Sequence, residues 1–368
     1  MARFTMATDP DTTAGPPEHR ATRTPSTLDL RVAAKCEAAE GVVTLTLSRP
    51  DGGRLPDWAP GAHIDLVLPN GSIRQHSLCG DRWDAHTYRI GVLREASGRG
   101  GSTYVHDMLA EGDTVGIGGP RNNFRLVPAG RYVFIAGGIG ITPLLPMIAQ
   151  SEMQGIPWRL LYGGRSRSSM AFLEDLASYG DKVALVPADE RGPLDLDAAL
   201  ADLPQDAKVY CCGPAGLLDA AAARCSGIEP GRVRMERFVA AGQADGSPDE
   251  AFEVELRRSS RTLTVATGET LLDALSAVGV NVLSSCRQGL CGTCETTVLD
   301  GVPDHRDALL DDADRAAGDC MLVCVSRAAS ARRGWPLSAS ASASRPEGSA
   351  PASGRPQTAA TSPTNRRR

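Results

Sequence analysis

The sequence predicts a multidomain chain: an antiparallel β-barrel, an α/β unit on a parallel sheet, and a compact unit of hairpin, helix and cysteine loop. Three observations carry this expectation. From Leu28 short runs alternate apolar and polar residues between turn residues such as Pro69, Asn70 and Gly71, the pattern of half-buried strands. After Gly130 buried strand-like runs alternate with helix-like ones, which implies crossovers and parallel pairing. Further on, CRQGLCGTC (residues 286–294) places three cysteines in nine residues.

Each element follows from the local pattern. Residues 1–26 are polar and proline-rich with no apolar period, as in a disordered leader. LDLRVAAKCEAAEGVVTLTLSRP, AHIDLVLPNGSIRQHSL and YRIGVLRE supply the strands of a barrel over residues 27–128. In residues 129–240, YVFIAGG, WRLLYGG, KVALVPA and VYCCGP read as strands, and ITPLLPMIAQSEMQG, AFLEDLASYG and AGLLDAAAAR as helices. Residues 241–250 are small and polar, as in a linker. Within residues 251–330, FEVELRR and RTLTVAT resemble a hairpin and ETLLDALSAVGV a helix. The remaining residues, 331–368, are Ser, Ala, Pro and Arg, a composition that should be disordered.

Composition narrows the function. The first twenty residues lack a continuous apolar segment and no later run approaches a membrane span, so a cytoplasmic chain is expected. There thiols stay reduced, and ten cysteines point to metal binding more than to disulfides. A net charge of −5 and few aromatics argue against nucleic-acid binding. Nothing in the architecture requires an oligomer.

Cys286, Cys291 and Cys294 give C-x4-C-x2-C, and Cys324 follows after 29 intervening residues. This is the plant-type [2Fe-2S] ligand arrangement. Gly289 and Gly292 sit where a side chain would keep backbone amides away from the sulfides. The alternative is structural zinc, whose usual signature is paired C-x2-C knuckles, and only one such pair is present. Cys320, four residues before Cys324, is the natural impostor, because in a strand the two would face one side. Cys36, Cys79 and Cys225 are scattered and read as ordinary thiols.

A cluster takes electrons singly, so something must supply them. IAGGIGITP (135–143) sets glycines between a buried strand and a helix start, which suits a pyrophosphate, although such turns also serve packing. VYCCGP (209–214) ends a second strand of that sheet, and ligands bind beyond the carboxyl ends of parallel strands. A nicotinamide gives up a hydride, so a flavin is needed between it and the cluster. RQHSL (74–78) offers Arg74 and His76 on one strand face, and GRGGS (98–102) could cradle a phosphate or be a plain surface turn.

Together RQHSL, GRGGS, AGGIGITP, YCCGP, MERF, CRQGLCGTCETTVLDG, and DHRD with MLVCVSRA resemble the phthalate dioxygenase reductase family, which includes vanillate demethylase reductases. The resemblance runs from about Leu28 to Arg327. It implies a flavin barrel, an NAD-binding α/β domain and a β-grasp [2Fe-2S] ferredoxin domain in that order. It implies FMN rather than FAD, lined by Arg74, His76, Ser77, Gly91, Val92, Leu93, Arg99, Gly100, Gly101 and Ser102. For the dinucleotide it implies Gly137, Gly138, Gly140, Thr142, Pro143, Arg165, Gly213 and Pro214. Ser77, Cys212 and Phe238 are then the catalytic residues beside the nicotinamide and flavin rings. The implied partner is a Rieske-type terminal oxygenase, with a cytochrome P450 as the rival; a flavin and iron–sulfur redox sensor is the non-catalytic alternative.

The chain departs from the family in places. His76 stands where tyrosine is usual, and Leu93 where some relatives have lysine. In GGRSRSS (163–169) Arg165 and Arg167 replace the acid that would favour NADH over NADPH. Relatives close the ferredoxin domain with an apolar strand, whereas this chain runs into an arginine-rich tail, as a reading-frame shift near Ala331 would produce. Seven aspartates between Asp300 and Asp319 form either a solvated loop or a docking face for a basic partner.

Overall fold

The computed structural model describes residues 3–6, 28–96, 98, 100–201, 203–229, 231–238, 249–257, 259–310 and 312–329. The arginine-rich tail, the 241–248 part of the linker, and Arg99 lie outside the described residues. Near the N-terminus, where a structureless leader is expected, Arg3–Met6 (β1) forms a strand.

The first unit is the expected barrel. Its strands are Leu28–Ala39 (β2), Val42–Ser48 (β3), His63–Val67 (β4), Ile73–Ser77 (β5), Thr87–Leu93 (β6) and Thr114–Arg121 (β7), all paired antiparallel in the order β5-β4-β7-β2-β3-β6. An antiparallel bridge from Leu78, just past β5, to Ile90 in β6 joins the two edges. The sheet therefore closes on itself and protects its edges. Alternate residues point inward, so Leu45, Leu47, Ile64, Leu66, Ile90 and Val92 are fully buried. Gly101–Asp107 (α1) adds Val105 to that core.

The second unit is a five-stranded parallel sheet. Arg131–Gly137 (β8), Trp158–Gly164 (β9), Val183–Pro187 (β10), Ala207–Cys212 (β11) and Val233–Glu236 (β12) lie in the order β10-β9-β8-β11-β12. Both faces are covered, as parallel sheets require. Tyr132, Phe134 and Tyr210 pack on one face with Leu144–Met153 (α2), while Val133, Ile135 and Val209 pack on the other with Ala215–Cys225 (α6). Between them lie Leu173–Leu176 (α3), Ala188–Arg191 (α4) and Leu196–Leu200 (α5). The helix expected over AFLEDLASYG is only one α turn, then a 3-10 segment broken at Gly180, whose φ is 55°.

The third unit is smaller and more irregular. Phe252–Leu256 (β13) and Arg261–Val265 (β14) form the expected hairpin, and β1 lies parallel to β13 on its other side. Leu271–Ala277 (α7) is capped by Thr270, whose hydroxyl accepts from the Asp273 amide at 3.1 Å. Glu295–Thr297 (β15) pairs with Cys320–Leu322 (β17), and Pro303–Asp304 (β16) with Arg327–Ala328 (β18), flanking Asp312–Ala317 (α8). Among the described residues no helix is long and apolar enough to cross a membrane.

Candidate functional site

The three units meet around one cavity. The barrel contributes His63, Ile73 to Ser77, Asn123 and Phe124; the α/β unit contributes Met235 to Phe238 from the end of β12; the third unit contributes Cys286, Gln288, Leu290, Ala308 and Leu309. His63 and Ser77 stand opposite each other on β4 and β5, so one sheet position carries both. Arg74 and His76 share the other face of β5, as alternation dictates. Phe238 is 37% exposed at this cavity.

Several polar atoms here are buried without a partner among the described residues: His63 Nε2, His76 Nε2, Ser77 Oγ and Glu236 Oε2. Buried polar atoms are nearly always hydrogen-bonded; Ser77 neighbours Glu236 and shares a sheet position with His63, so these three fit a polar group bound among them. Burial pushes the Glu236 carboxyl up to about 8, with the neighbouring Ser77 hydroxyl pulling the other way. The shift favours the protonated, donating form of this carboxyl. Burial, then the charges of Arg121 and Arg74 respectively, bring His63 and His76 down to about 4, so both rings are neutral.

Arg74 also reaches the glycine turn. A Cβ on Gly101 would lie 2.6 Å from Arg74 Nε, so only glycine lets the guanidinium rest there. Gly100, at φ 80°, precedes α1, and Ser102 Oγ accepts from the Glu95 amide at 3.0 Å. Gly91, Val92 and Leu93, expected to line the flavin, lie on β6, where their side-chain positions also serve packing. Val92 belongs to the barrel core, Leu93 packs on the core of the α/β unit, and a Cβ on Gly91 would press on Phe172 and Thr142. This strand edge is a joint between two units.

The two motifs of the parallel sheet do come together. Gly137, Gly138, Gly140, Thr142 and Pro143 lead from β8 into α2, and Cys212, Gly213 and Pro214 close β11 beside it. A Cβ on Gly140 would strike the Cys212 carbonyl at 2.3 Å, and one on Gly137 would strike Pro214 at 2.7 Å. These two glycines serve close loop packing, whereas Gly138, at φ 53°, faces open space. Cys212 is fully buried, its thiol driven up by burial and by Glu236, its register partner on β12. Glu236 and not Cys212 reaches the cavity. The sequence motif MERF contains that glutamate, but no local pattern marks it as buried. Arg165 is exposed after β9, and Arg167 Nε lies 3.7 Å from Glu190 on α4, an acid the loop sequence alone does not reveal.

The four cluster cysteines are all buried, from 1% to 7% exposed. Cys291 lies beside Cys286, and Cys324 beside Cys286 and Cys294. Amides of Gln288 and Leu290 donate to Cys286 Sγ at 3.3 and 3.4 Å, and that of Thr293 to Cys291 Sγ at 3.4 Å. Such donors favour thiolate, the ligand form. Gly289 has φ 70°, and a Cβ there would lie 2.8 Å from the Asp307 backbone. Among the described residues no group of three or more His, Cys, Asp or Glu has the arrangement of a metal-ion site; the fit rests on the buried sulfurs, their amide donors and the glycine clearance.

Cys320 and Cys324 do not share a strand face as expected, because β17 ends at Leu322 and Cys324 lies in the turn beyond. Cys320 is only half-buried, and its thiol is pushed up to about 12 by burial and nearby acids. The acidic stretch is also less free than its sequence suggests. Asp307 is buried, accepting from the amides of Leu309 and Leu310 and pairing with Arg315, and Asp304 pairs with Arg306 at 2.7 Å. Asp311 lies outside the described residues.

A closed barrel, a parallel sheet with glycine loops and a buried cysteine loop around one cavity define an iron–sulfur flavoprotein oxidoreductase. Comparison with known proteins agrees. The 2Fe-2S iron-sulfur cluster binding domain family matches residues 254–329, which contain all four cysteines. The chain is 47% identical over 308 residues to the phenoxybenzoate dioxygenase subunit beta of Ectopseudomonas oleovorans, covering 83% of this chain and 96% of that one. It is 38% identical over 313 residues to the vanillate O-demethylase oxidoreductase of Pseudomonas sp. strain HR199, covering 83% and 98%. Among solved structures, a phthalate dioxygenase reductase aligns with a TM-score of 0.64 at 34% identity, covering 85% of this chain and 98% of that one. An intact type IV self-sufficient cytochrome P450 monooxygenase aligns with a TM-score of 0.78 at 40% identity, but the chain spans only 41% of its length. The chain belongs to the phthalate dioxygenase reductase-like family. It is an NAD(P)H-dependent reductase using a flavin and a [2Fe-2S] cluster.

Proposed function

We propose that this protein is the reductase of a Rieske-type aromatic-ring oxygenase or demethylase, drawing on NADH and holding FMN. The observation that carries the reading is the shared cavity, where Ser77 and Glu236 stand on one side and the cluster ligand Cys286 on another. When bound, the flavin accepts a hydride from the nicotinamide and releases electrons singly to the cluster.

The chain's own residues set that transfer up. Protonated Glu236 donates a hydrogen bond into the cavity, and Ser77 Oγ supplies a second polar contact. Phe238 lines the same cavity and offers an aromatic face to a bound ring. Arg74, lying on Gly101, supplies positive charge for the flavin phosphate. Glu190 beside Arg167 supports NADH, since its carboxylate would oppose a 2′-phosphate. The amides aimed at Cys286 and Cys291 would steady those sulfurs as cluster ligands.

The relatives named as dioxygenase and demethylase components support an oxygenase partner. A P450 partner is the second reading, favoured by the fused P450 monooxygenase whose matching part shares this architecture. Reconstitution separates them. Purified protein with NADH should sustain turnover of an added Rieske oxygenase and leave a bacterial P450 near background; the reverse pattern establishes the second reading. Mass analysis of the released flavin should return FMN.

A further inference from the structure

The third unit is joined to the others lightly. Among the described residues, one hydrogen bond crosses between residues 28–238 and 249–329: Asn123 Nδ2 donates to the Cys291 carbonyl at 3.2 Å. Its position is prepared from both sides. Asn122 fixes the loop after β7 to the barrel, donating to the carbonyls of Pro60 and Ala59 at 2.9 and 3.2 Å and accepting from the Phe124 amide at 3.0 Å. Phe124 is 3% exposed and packs edge-on against Tyr210, with ring centroids 5.4 Å apart. Asn123 is thus presented on a rigid support.

Its target is equally constrained. Cys291 lies between Leu290, which lines the cavity, and Gly292, at φ 71°, where a Cβ would come 2.9 Å from Leu309 and 3.9 Å from Asn123 Nδ2. Cys286, Leu290 and Asn123 all border the cavity that the proposed flavin would fill. A hydrogen bond at this point fixes where the cluster loop sits relative to that ring.

We propose that Asn123 is a positioning residue for electron transfer, holding the cysteine loop against the flavin cavity without taking part in hydride transfer. The inference rests on the flavin reading above. The step it governs balances as a one-electron oxidation of reduced flavin coupled to a one-electron reduction of the cluster, the pair having entered as hydride from NADH. Loss of a single neutral hydrogen bond shifts a docked equilibrium by about two- to tenfold.

The test is stopped flow on the holoprotein and on Asn123→Ala, Asn123→Asp and Asn123→Gln, mixed anaerobically with NADH. Flavin bleaching should slow less than the cluster phase in every variant. The later cluster phase should slow by about two- to tenfold in the Ala and Asp variants, and Gln should recover part of it. Hydrogen exchange of residues 286–294 should rise in the Ala variant, with iron content unchanged. An unaltered cluster phase overturns the proposal. So does a slow phase that tracks iron loss, or flavin and cluster phases that slow together. A wild-type protein lacking flavin or iron would instead defeat the functional reading.

Discussion

The barrel and the α/β unit meet across a joint built very differently from the one that holds the ferredoxin unit. Arg89 pairs with Asp175 at 2.7 Å, the Glu40 amide donates to the Ser168 carbonyl at 2.9 Å, and the Tyr210 hydroxyl ties down Val127 and Arg125. Gly91 lets Phe172 and Thr142 close against the barrel strand. Against this stands, among the described residues, the one hydrogen bond from Asn123 to the cysteine loop. Hydride transfer needs reacting atoms held to a fraction of an ångström, whereas passing an electron onward to a partner needs a unit that can also be reached. The heavy joint serves the first demand and the light one the second.

The largest expected effect comes from emptying the light side. Cys324→Ser should abolish the cluster and with it reduction of any one-electron protein acceptor, while NADH still bleaches the flavin. Cys320→Ser should leave iron content and acceptor reduction at wild-type levels. Iron analysis with cytochrome c reduction checks both, and loss of iron in the Cys320 variant would reassign the fourth ligand.

Breaking the heavy joint should do the opposite. Gly91→Val forces side-chain atoms onto Phe172 and Thr142, which a Cβ alone already approaches at 3.0 Å. Misplacing the nicotinamide should slow flavin reduction by about a hundredfold, with the cluster spectrum retained. A variant that loses iron but keeps hydride transfer would reverse the assignment of the two joints.

Glu236→Gln keeps a donor but removes the titrating carboxyl, and flavin reduction should slow by about tenfold. The same variant has a stability signature in flavin-stripped protein. The folded carboxyl, pushed up to about 8, holds its proton where an unfolded one near 4.5 has lost it. Stability is therefore greatest below the unfolded value and falls as pH rises towards 8. Urea melts between pH 5 and 8 should show that fall in the wild type and a flatter profile in Glu236→Gln.

The smallest effect concerns the ferredoxin edge. The β1 register sets Phe4 and Met6 level with the buried Val254 and Leu256, and Arg3 and Thr5 level with Glu253 and Glu255, so polar and apolar positions stay in phase. Thr5→Pro removes a backbone N–H from this edge strand, and the melting temperature of the ferredoxin unit should drop by about 5 °C. An unchanged melting curve would mean the strand adds nothing to that unit.

How much of this was legible in the sequence differs between the same two regions. Alternation marked the barrel strands, and buried runs between helices marked the parallel sheet, because those elements are long enough to show a period. In the ferredoxin unit the hairpin and α7 were legible, but β15 to β18 have two or three residues each, too short for any pattern, and only the cysteine spacing announced that part. Glu236, His63 and Asn123 were not foreseen as site residues, since each acts through neighbours far away in the chain. Arg3–Met6 escaped because four residues in a polar leader carry no signal until β13 is beside them.

The most direct measurement is an anaerobic titration of the purified holoprotein with NADH, followed by absorbance and low-temperature EPR, with metal analysis of the same sample. Two iron atoms per chain, flavin bleaching and the signal of a reduced binuclear cluster are the predicted result. Zinc in place of iron, or a flavin that bleaches while an intact cluster stays oxidised, would contradict the account.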